Sequence, residues 1–352
     1  MFTSDDTSRR DFLIGLGALG AGALVAGSAQ AQANPRRLDL HHHFVSPGLA
    51  KKATEVQRQG WETLRDYSVK TTIEKMDKAG IQTGFCSLTT PGIWMGDDFR
   101  IERASALALA REMNEFAAKM MSDYKGRFGL FTVLPMPDVD ASLKEIAYGM
   151  DTLKADGVGF LSSYGHQWLG DKAFEPVWQE LNRRNAVVYT HPTDSACCHN
   201  IETGPGTIEW LTDTARTIHS LIINGPNNAP SMATKYPNIK FIWSHAGGAL
   251  IGLASRVVGG ISGDELKAPP ANSRLAQVRR FYYDTAGSAN PVLLQGLKTL
   301  LGDTSHIVFG TDIPFGDGLA IVNGLKSCGL SADELRGVDR ENAVRILPKY
   351  RT

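Results

Sequence analysis

The chain predicts an α/β fold, a (β/α)8 TIM barrel with small excursions after strands one and two, on three observations. Strand-like and helix-like segments alternate eight times between residues 37 and 346. Most of the strand segments are short apolar runs without polar alternation, as expected of strands covered on both faces. Functional-looking residues fall at the C-terminal ends of strands one, five, six and eight, which a closed barrel gathers at one rim. The alternative is an open doubly wound sheet. It would bind a ligand at one switch point and spread those ends apart.

The elements follow in order. Strand one is 37–44. Helix 71–79 is stopped by Gly80, and strand two is 81–88. The long amphipathic helix 103–123 leads to strand three, 128–134. Helix 141–154 precedes strand four, 157–162, and helix 174–184 precedes strand five, 187–191. Helix 207–221 carries Glu209 in its first turn and leads to strand six, 240–245. Helix 250–258 is followed by strand seven, 281–284. Helix 291–301 has Pro291 in its first turn, where the missing N–H costs nothing. Strand eight is 307–310. The last helix, 331–346, is capped by Ser331 with Glu334 three residues on. The two excursions are 46–70 and 89–102.

Composition sets the class. The 352 residues are 42% hydrophobic and 21% charged, with zero formal net charge. That is ordinary globular usage, and one barrel of about 250 residues or more fits the length. The charge balance gives no reason to expect nucleic acid or an anionic membrane as partner.

Residues 1–33 read as an export signal, and 34–352 as the barrel. Ser8-Arg-Arg-Asp-Phe-Leu13 is a twin-arginine pattern, followed by a weakly apolar run from Ile14 to Gly27 and by small-x-small cleavage sites ending at Ala31 and Ala33. The run is short of the ~20 residues that span a bilayer. Cleavage and release into the periplasm by the twin-arginine machinery is therefore expected. The four cysteines are Cys86, Cys197, Cys198 and Cys328. A core this large needs no disulfide. Cys197-Cys198-His199 reads as a loop rather than a soft-metal site.

The chemistry sits in four segments: Leu38-Asp-Leu-His-His-His-Phe44, Val187-Val-Tyr-Thr-His-Pro192, Phe241-Ile-Trp-Ser-His-Ala-Gly-Gly248 and Ile307-Val-Phe-Gly-Thr-Asp-Ile-Pro-Phe315. Side chains two apart on a strand share a face. His41 and His43 can therefore grip one ion while His42 points away. His191, His245 and Asp312 arrive from three other strands. Taken singly, each could be a structural residue: a strand-end histidine, a core histidine, a turn-capping aspartate. Together, neutral imidazoles and one carboxylate make a site for one divalent metal, zinc by ligand type with manganese as the alternative. A metal ion lowers the pKa of bound water from about 15.7 toward about 7. Imidazole suits the general acid/base role beside such a water, which falls to His245. Asp39 and Asp284 are candidates to orient ligand imidazoles.

This motif set resembles the amidohydrolase superfamily, in its aminocarboxymuconate-semialdehyde decarboxylase-like branch, over residues 37–347. The resemblance implies that His41, His43, His191 and Asp312 bind one zinc, with His245 as general base and Asp312 sharing in catalysis. It implies that Arg256, eleven residues beyond His245, crosses a homodimer interface to bind a substrate carboxylate. Strand four, Gly157 to Ser162, offers no lysine to bridge two metals, which favours one. The chain departs from the family where Thr193 follows His191-Pro192 in place of a tryptophan, and where Ala246 replaces a glycine. Arg65 is the candidate for a second substrate-binding arginine, and Trp94, with Met95 and Phe99, for the pocket lining. Three functions remain in view. The first is a metal-dependent decarboxylase of a small unsaturated or aromatic carboxylic acid. The second is a hydrolase of a lactone, ester or amide. The third is a non-catalytic ligand-binding protein, which would have no use for His245.

Overall fold

The computed structural model describes residues 35–56, 62–94, 101–195, 197 and 208–351. The twin-arginine segment, Met95, Phe99, Cys198 and His199 lie outside the described residues. Eight parallel strands form the sheet: β1 (Arg37–His43), β2 (Ile81–Ser87), β3 (Phe128–Val133), β4 (Gly157–Leu161), β5 (Val187–His191), β6 (Lys240–Trp243), β7 (Tyr282–Asp284) and β8 (Ile307–Val308). They are hydrogen-bonded in chain order. The barrel closes where the Leu40 N–H donates to Phe309 O at 2.9 Å and the His43 N–H to Ile313 O at 2.7 Å. Among the described residues no helix is long and apolar enough to cross a membrane.

Alternation along the strands divides the apolar residues into two cores. Leu38, Leu40, Phe85, Phe131, Tyr189, Ile242 and Val308 fill the barrel. Ala343 and Leu347 of the C-terminal segment join this inner cluster, and the ring of Tyr350 meets Phe85 edge-on at 4.9 Å. The alternate residues, among them Val188, Trp243, Tyr283 and Phe309, pack outward in the larger second core. Burying this much apolar surface is what holds the fold together, at about 1.5–3 kcal/mol for each large side chain.

The structure adds detail that the pattern does not carry. The first excursion holds two helices, Pro47–Val56 and Glu62–Arg65. A helix at Gly318–Lys326, capped by Asp317, follows β8. It was not expected, because its apolar residues follow the Gly- and Pro-rich turn too closely to read as a separate element. The predicted last helix starts at Ser331, with both halves of its capping box formed. It widens to a π-helical turn at Gly337–Glu341 before Asn342–Ile346. The helix after β3 also ends in a π turn, Tyr148–Thr152, where Gly149 lies against Thr132.

Candidate metal centre

The β1 segment is built around a bulge. Asp39 pairs with Gly84 and His42 with Cys86, so three steps on β1 match two on β2. An extra residue of this kind reverses the alternation beyond it. Without it, Leu38 and Leu40 would place His42 inside and turn His41 and His43 out. With it, His41 and His43 face into the barrel above Tyr189, at ring distances of 5.4 and 6.5 Å. His42 turns outward, with its Nδ1 3.0 Å from Asp39 Oδ2. Gly310 makes this possible: a Cβ there would lie 2.7 Å from the His41 Cβ and 2.9 Å from the Asp284 Cβ.

His191 ends β5, two residues after inward-facing Tyr189. His245 and Asp312 lie just past their strands with φ of 52° and 65°. Residues other than glycine seldom adopt such values, and they concentrate at functional sites. Asp39 anchors the Asp312 turn, accepting from the Thr311 N–H at 3.0 Å and the Thr311 hydroxyl at 2.5 Å. Asp284 Oδ1 accepts from the His245 and Ala286 N–H groups at 2.9 and 3.0 Å and so anchors the His245 turn.

The hydrogen bonds fix every tautomer. Nδ1 of His41 meets Asp284 Oδ2 at 2.8 Å. Nδ1 of His43 meets Ser87 O at 3.2 Å, that of His191 meets Pro192 O at 2.8 Å, and that of His245 meets Ala286 O at 2.9 Å. Carboxylates and carbonyls only accept here, so each Nδ1 carries a proton, and Nε2 is left as the atom of each ring that can take a cation or a second proton. Nε2 of His41 and His43 face each other at 3.1 Å. Asp312 Oδ1 lies 3.3 Å from the first and 3.1 Å from the second. One ligand atom from each of His41, His43, His191 and Asp312 falls within 4.8 Å of all the others.

Acceptors so crowded call for positive charge at their centre. Burial opposes a charge on His41, yet Asp284 and Asp312 overcome it and push its pKa up to about 10. Burial lowers His43 and, with His43 and His41 beside it, holds His191 well below its ordinary value. Burial raises Asp312, but His41 and His43 outweigh it and hold the carboxyl well below the usual range. Three imidazoles and a carboxylate of this kind fit a divalent cation. His245 stands beside them, its ring 4.8 Å from His41 and 5.9 Å from His191. Burial, then the charge of His41, lowers its pKa.

The remaining expected residues stand outside the ligand group. Trp94 packs on the outer core, its indole N–H donating to Met136 O at 2.5 Å. Arg65 pairs with Glu62, 3.2 Å away on the same short helix. Arg256 is exposed on the helix Leu250–Val257 and does not enter this chain's own cluster. The structure also supplies aromatic neighbours that motif reading passed over. Phe315, 40% exposed, meets His43 at 5.8 Å. Trp210 meets His191 at 6.3 Å and donates to Asp194 Oδ1 at 2.6 Å. Phe315 was visible, since it closes the Asp312 segment. Trp210 comes from a different helix and has no spacing signal. Cys197 is disulfide-bonded, contrary to the expectation that no disulfide is needed, while Cys86 and Cys328 are free and buried.

A parallel barrel that brings histidines and an aspartate to its C-terminal rim is a metal-binding enzyme scaffold of the amidohydrolase class. The chain belongs to the Amidohydro_2 family, described as amidohydrolase, whose model matches residues 38–349. It is 32% identical to decarboxylase yanB of Aspergillus niger, over 89% of this chain and 88% of that one. It is 31% identical to 6-methylsalicylic acid decarboxylase of Penicillium expansum, over 90% and 97%. A solved dihydroxybenzoic acid decarboxylase from a Polaromonas species, with bound manganese and the inhibitor 2-nitroresorcinol, superposes with a TM-score of 0.73. It is 21% identical, over 90% of this chain and 98% of that one.

Proposed function

We propose that the protein is a metal-dependent decarboxylase of a small aromatic carboxylic acid of the hydroxybenzoate type. The observation that carries this reading is His245, held with its bare Nε2 beside the ligand cluster but outside it. The decarboxylase relatives, one of them acting on 6-methylsalicylic acid, supply the substrate class. His41, His43, His191 and Asp312 would hold the metal, zinc or manganese. When bound, it supplies Lewis-acid stabilisation of negative charge on substrate oxygens.

The chain's own residues supply the rest. Decarboxylation breaks the bond from the ring carbon to the carboxylate carbon. The electron pair stays on the ring, carbon dioxide leaves, and a proton takes its place. His245 takes up that proton from solvent or substrate and delivers it to the ring carbon. Its lowered basicity favours giving the proton up again. Trp210 and Phe315 present flat apolar surfaces at His191 and His43 against which an aromatic ring can lie. Trp94 would close the wall toward β3, and Arg65 remains the candidate for a second contact to the substrate.

Arg256 would serve as a carboxylate clamp from a second copy in a homodimer. Leu253 on the same helix is 42% exposed, and so is Val292, at 81%, on the helix packed beside it. The twin-arginine pattern supports export to the periplasm, and Arg9→Lys with Arg10→Lys should retain the protein in the cytoplasm. The test of activity is carbon dioxide release from 2-hydroxybenzoates, with and without chelator. Metal-dependent release supports the proposal, and silence of the metal-loaded protein across the panel would sink it. The amidohydrolase family description favours a second reading, hydrolysis of a lactone, ester or amide at the same site. Chelator-sensitive turnover of such substrates without carbon dioxide release would establish it.

A further inference from the structure

A cavity opens at the end of the barrel opposite the metal cluster. It measures about 380 Å³, and its lining includes Asn238, Lys240, Arg279, Arg280, Tyr282 and His306. Lys240 is the first residue of β6, Arg280 stands just before β7 and His306 just before β8. All the strands run the same way, so this is the N-terminal mouth, and the metal cluster lies at the other.

The lining is cationic and carries no carboxylate. Among the described residues, Lys240, Arg279 and Arg280 contact backbone carbonyls rather than acids. Lys240 Nζ donates to Asn185 O at 3.0 Å. Arg279 donates through Nε to Leu300 O at 2.9 Å and through Nη2 to Leu266 O at 2.6 Å. Arg280 Nη2 donates to Ala233 O at 2.7 Å. A structural role as carbonyl caps accounts for these bonds. It does not account for the other donors: two on Lys240, Nη1 of Arg279, and Nε and Nη1 of Arg280. Nor does a carbonyl neutralise a charge. Burial alone lowers the pKa of Lys240, as expected where no anion offsets it. Arg345 adds to the positive field at Tyr282 and His306. The carboxylate of Asp303, which accepts from the Ser305 N–H at 2.7 Å, lies outside the lining and opposes Arg345 at His306. The rings of Tyr282 and His306, 4.6 Å apart, form a wall that an organic group can cover.

We propose that this mouth is an anion site for a small multivalent oxyanion of the phosphate type, either inorganic phosphate or a phosphate monoester. Guanidinium forks match such oxygens, and an ammonium adds a point charge. The volume exceeds what phosphate alone needs and falls in the range of small-molecule sites.

The test is calorimetric titration of the full-length, metal-loaded protein with inorganic phosphate and with phenyl phosphate, at ionic strength matched with sodium chloride. Binding is expected, weakened about tenfold or more in Arg280→Gln and in Lys240→Gln, as for loss of a charged hydrogen bond. Tighter binding of phenyl phosphate identifies the monoester as the better ligand, and equal binding identifies the free anion. Arg280 is exposed, so its variant carries the test if Lys240→Gln fails to fold. Heat equal to that of chloride overturns the site. So does binding that survives both substitutions but disappears in His191→Ala, which would place the anion at the metal cluster.

Discussion

At the residue scale the cluster depends on second partners as much as on ligands. Four imidazoles are each oriented through Nδ1, and only His41 uses a carboxylate for this, Asp284. Asp284→Asn keeps the shape and removes the charge. A 10–100-fold loss of metal affinity is expected from such a change, measured by competition with a chromogenic chelator. His245 makes the opposite case. His245→Asn should leave metal content, read by elemental analysis, unchanged. Decarboxylation should fall about 10²–10⁴-fold. Equal loss of metal and activity would show His245 to be a ligand and remove it from proton transfer. Motif reading found these histidines because their types and spacings are chemically distinctive. It could not find Ser87, whose contribution is a backbone carbonyl, because any residue offers one.

At the scale of elements, the β1 bulge and the turns after β6 and β8 do the positioning. Alternation read from Leu38 and Leu40 contradicts the HxH reading, and the extra residue between Asp39 and His42 resolves the conflict. A bulge leaves little trace in residue pattern, because what decides it is pairing with a neighbouring strand. Gly310 is its counterpart across the barrel closure. In Gly310→Ala the new methyl would meet two Cβ atoms that cannot swing away. The expected cost is about 1–3 kcal/mol, measured by denaturant unfolding, together with lower metal occupancy. Unchanged stability and occupancy would mean that His41 has more room than its contacts suggest. The strands and most helices were legible because their apolar runs are long enough to bury. The helix Gly318–Lys326 and the two π turns were not, since tertiary contacts select them over plain α-helical continuation.

At the scale of the whole molecule, the buried cluster makes stability depend on pH. Burial holds His43, His191 and His245 below their ordinary values. The unfolded chain therefore binds more protons once the pH falls below about 6.5, and acid destabilises the fold. Asp312, held low, acts in the same direction further into acid. His41 has the opposite sign. Its raised pKa contributes stability that is complete below about 6.5 and lost as pH rises through about 10. Chelated protein should thus be most stable near neutrality and melt earlier at both pH 5 and pH 9.5. Metal should flatten the alkaline limb, because a cation takes the place of the His41 proton. A chelated protein with a flat profile from pH 5 to 9.5 would contradict the burial of these groups.

The sequence by itself determined the barrel, the order of its strands and the residue types at its rim. Those follow from local apolar patterning and from chemistry that few side chains can perform. Only the tertiary structure decided which face each histidine takes, where Arg256 and Trp94 stand, and that cations gather without a carboxylate at the far mouth. Each of these depends on residues distant in the chain meeting in space, through strand register and closure, and no local pattern records such meetings.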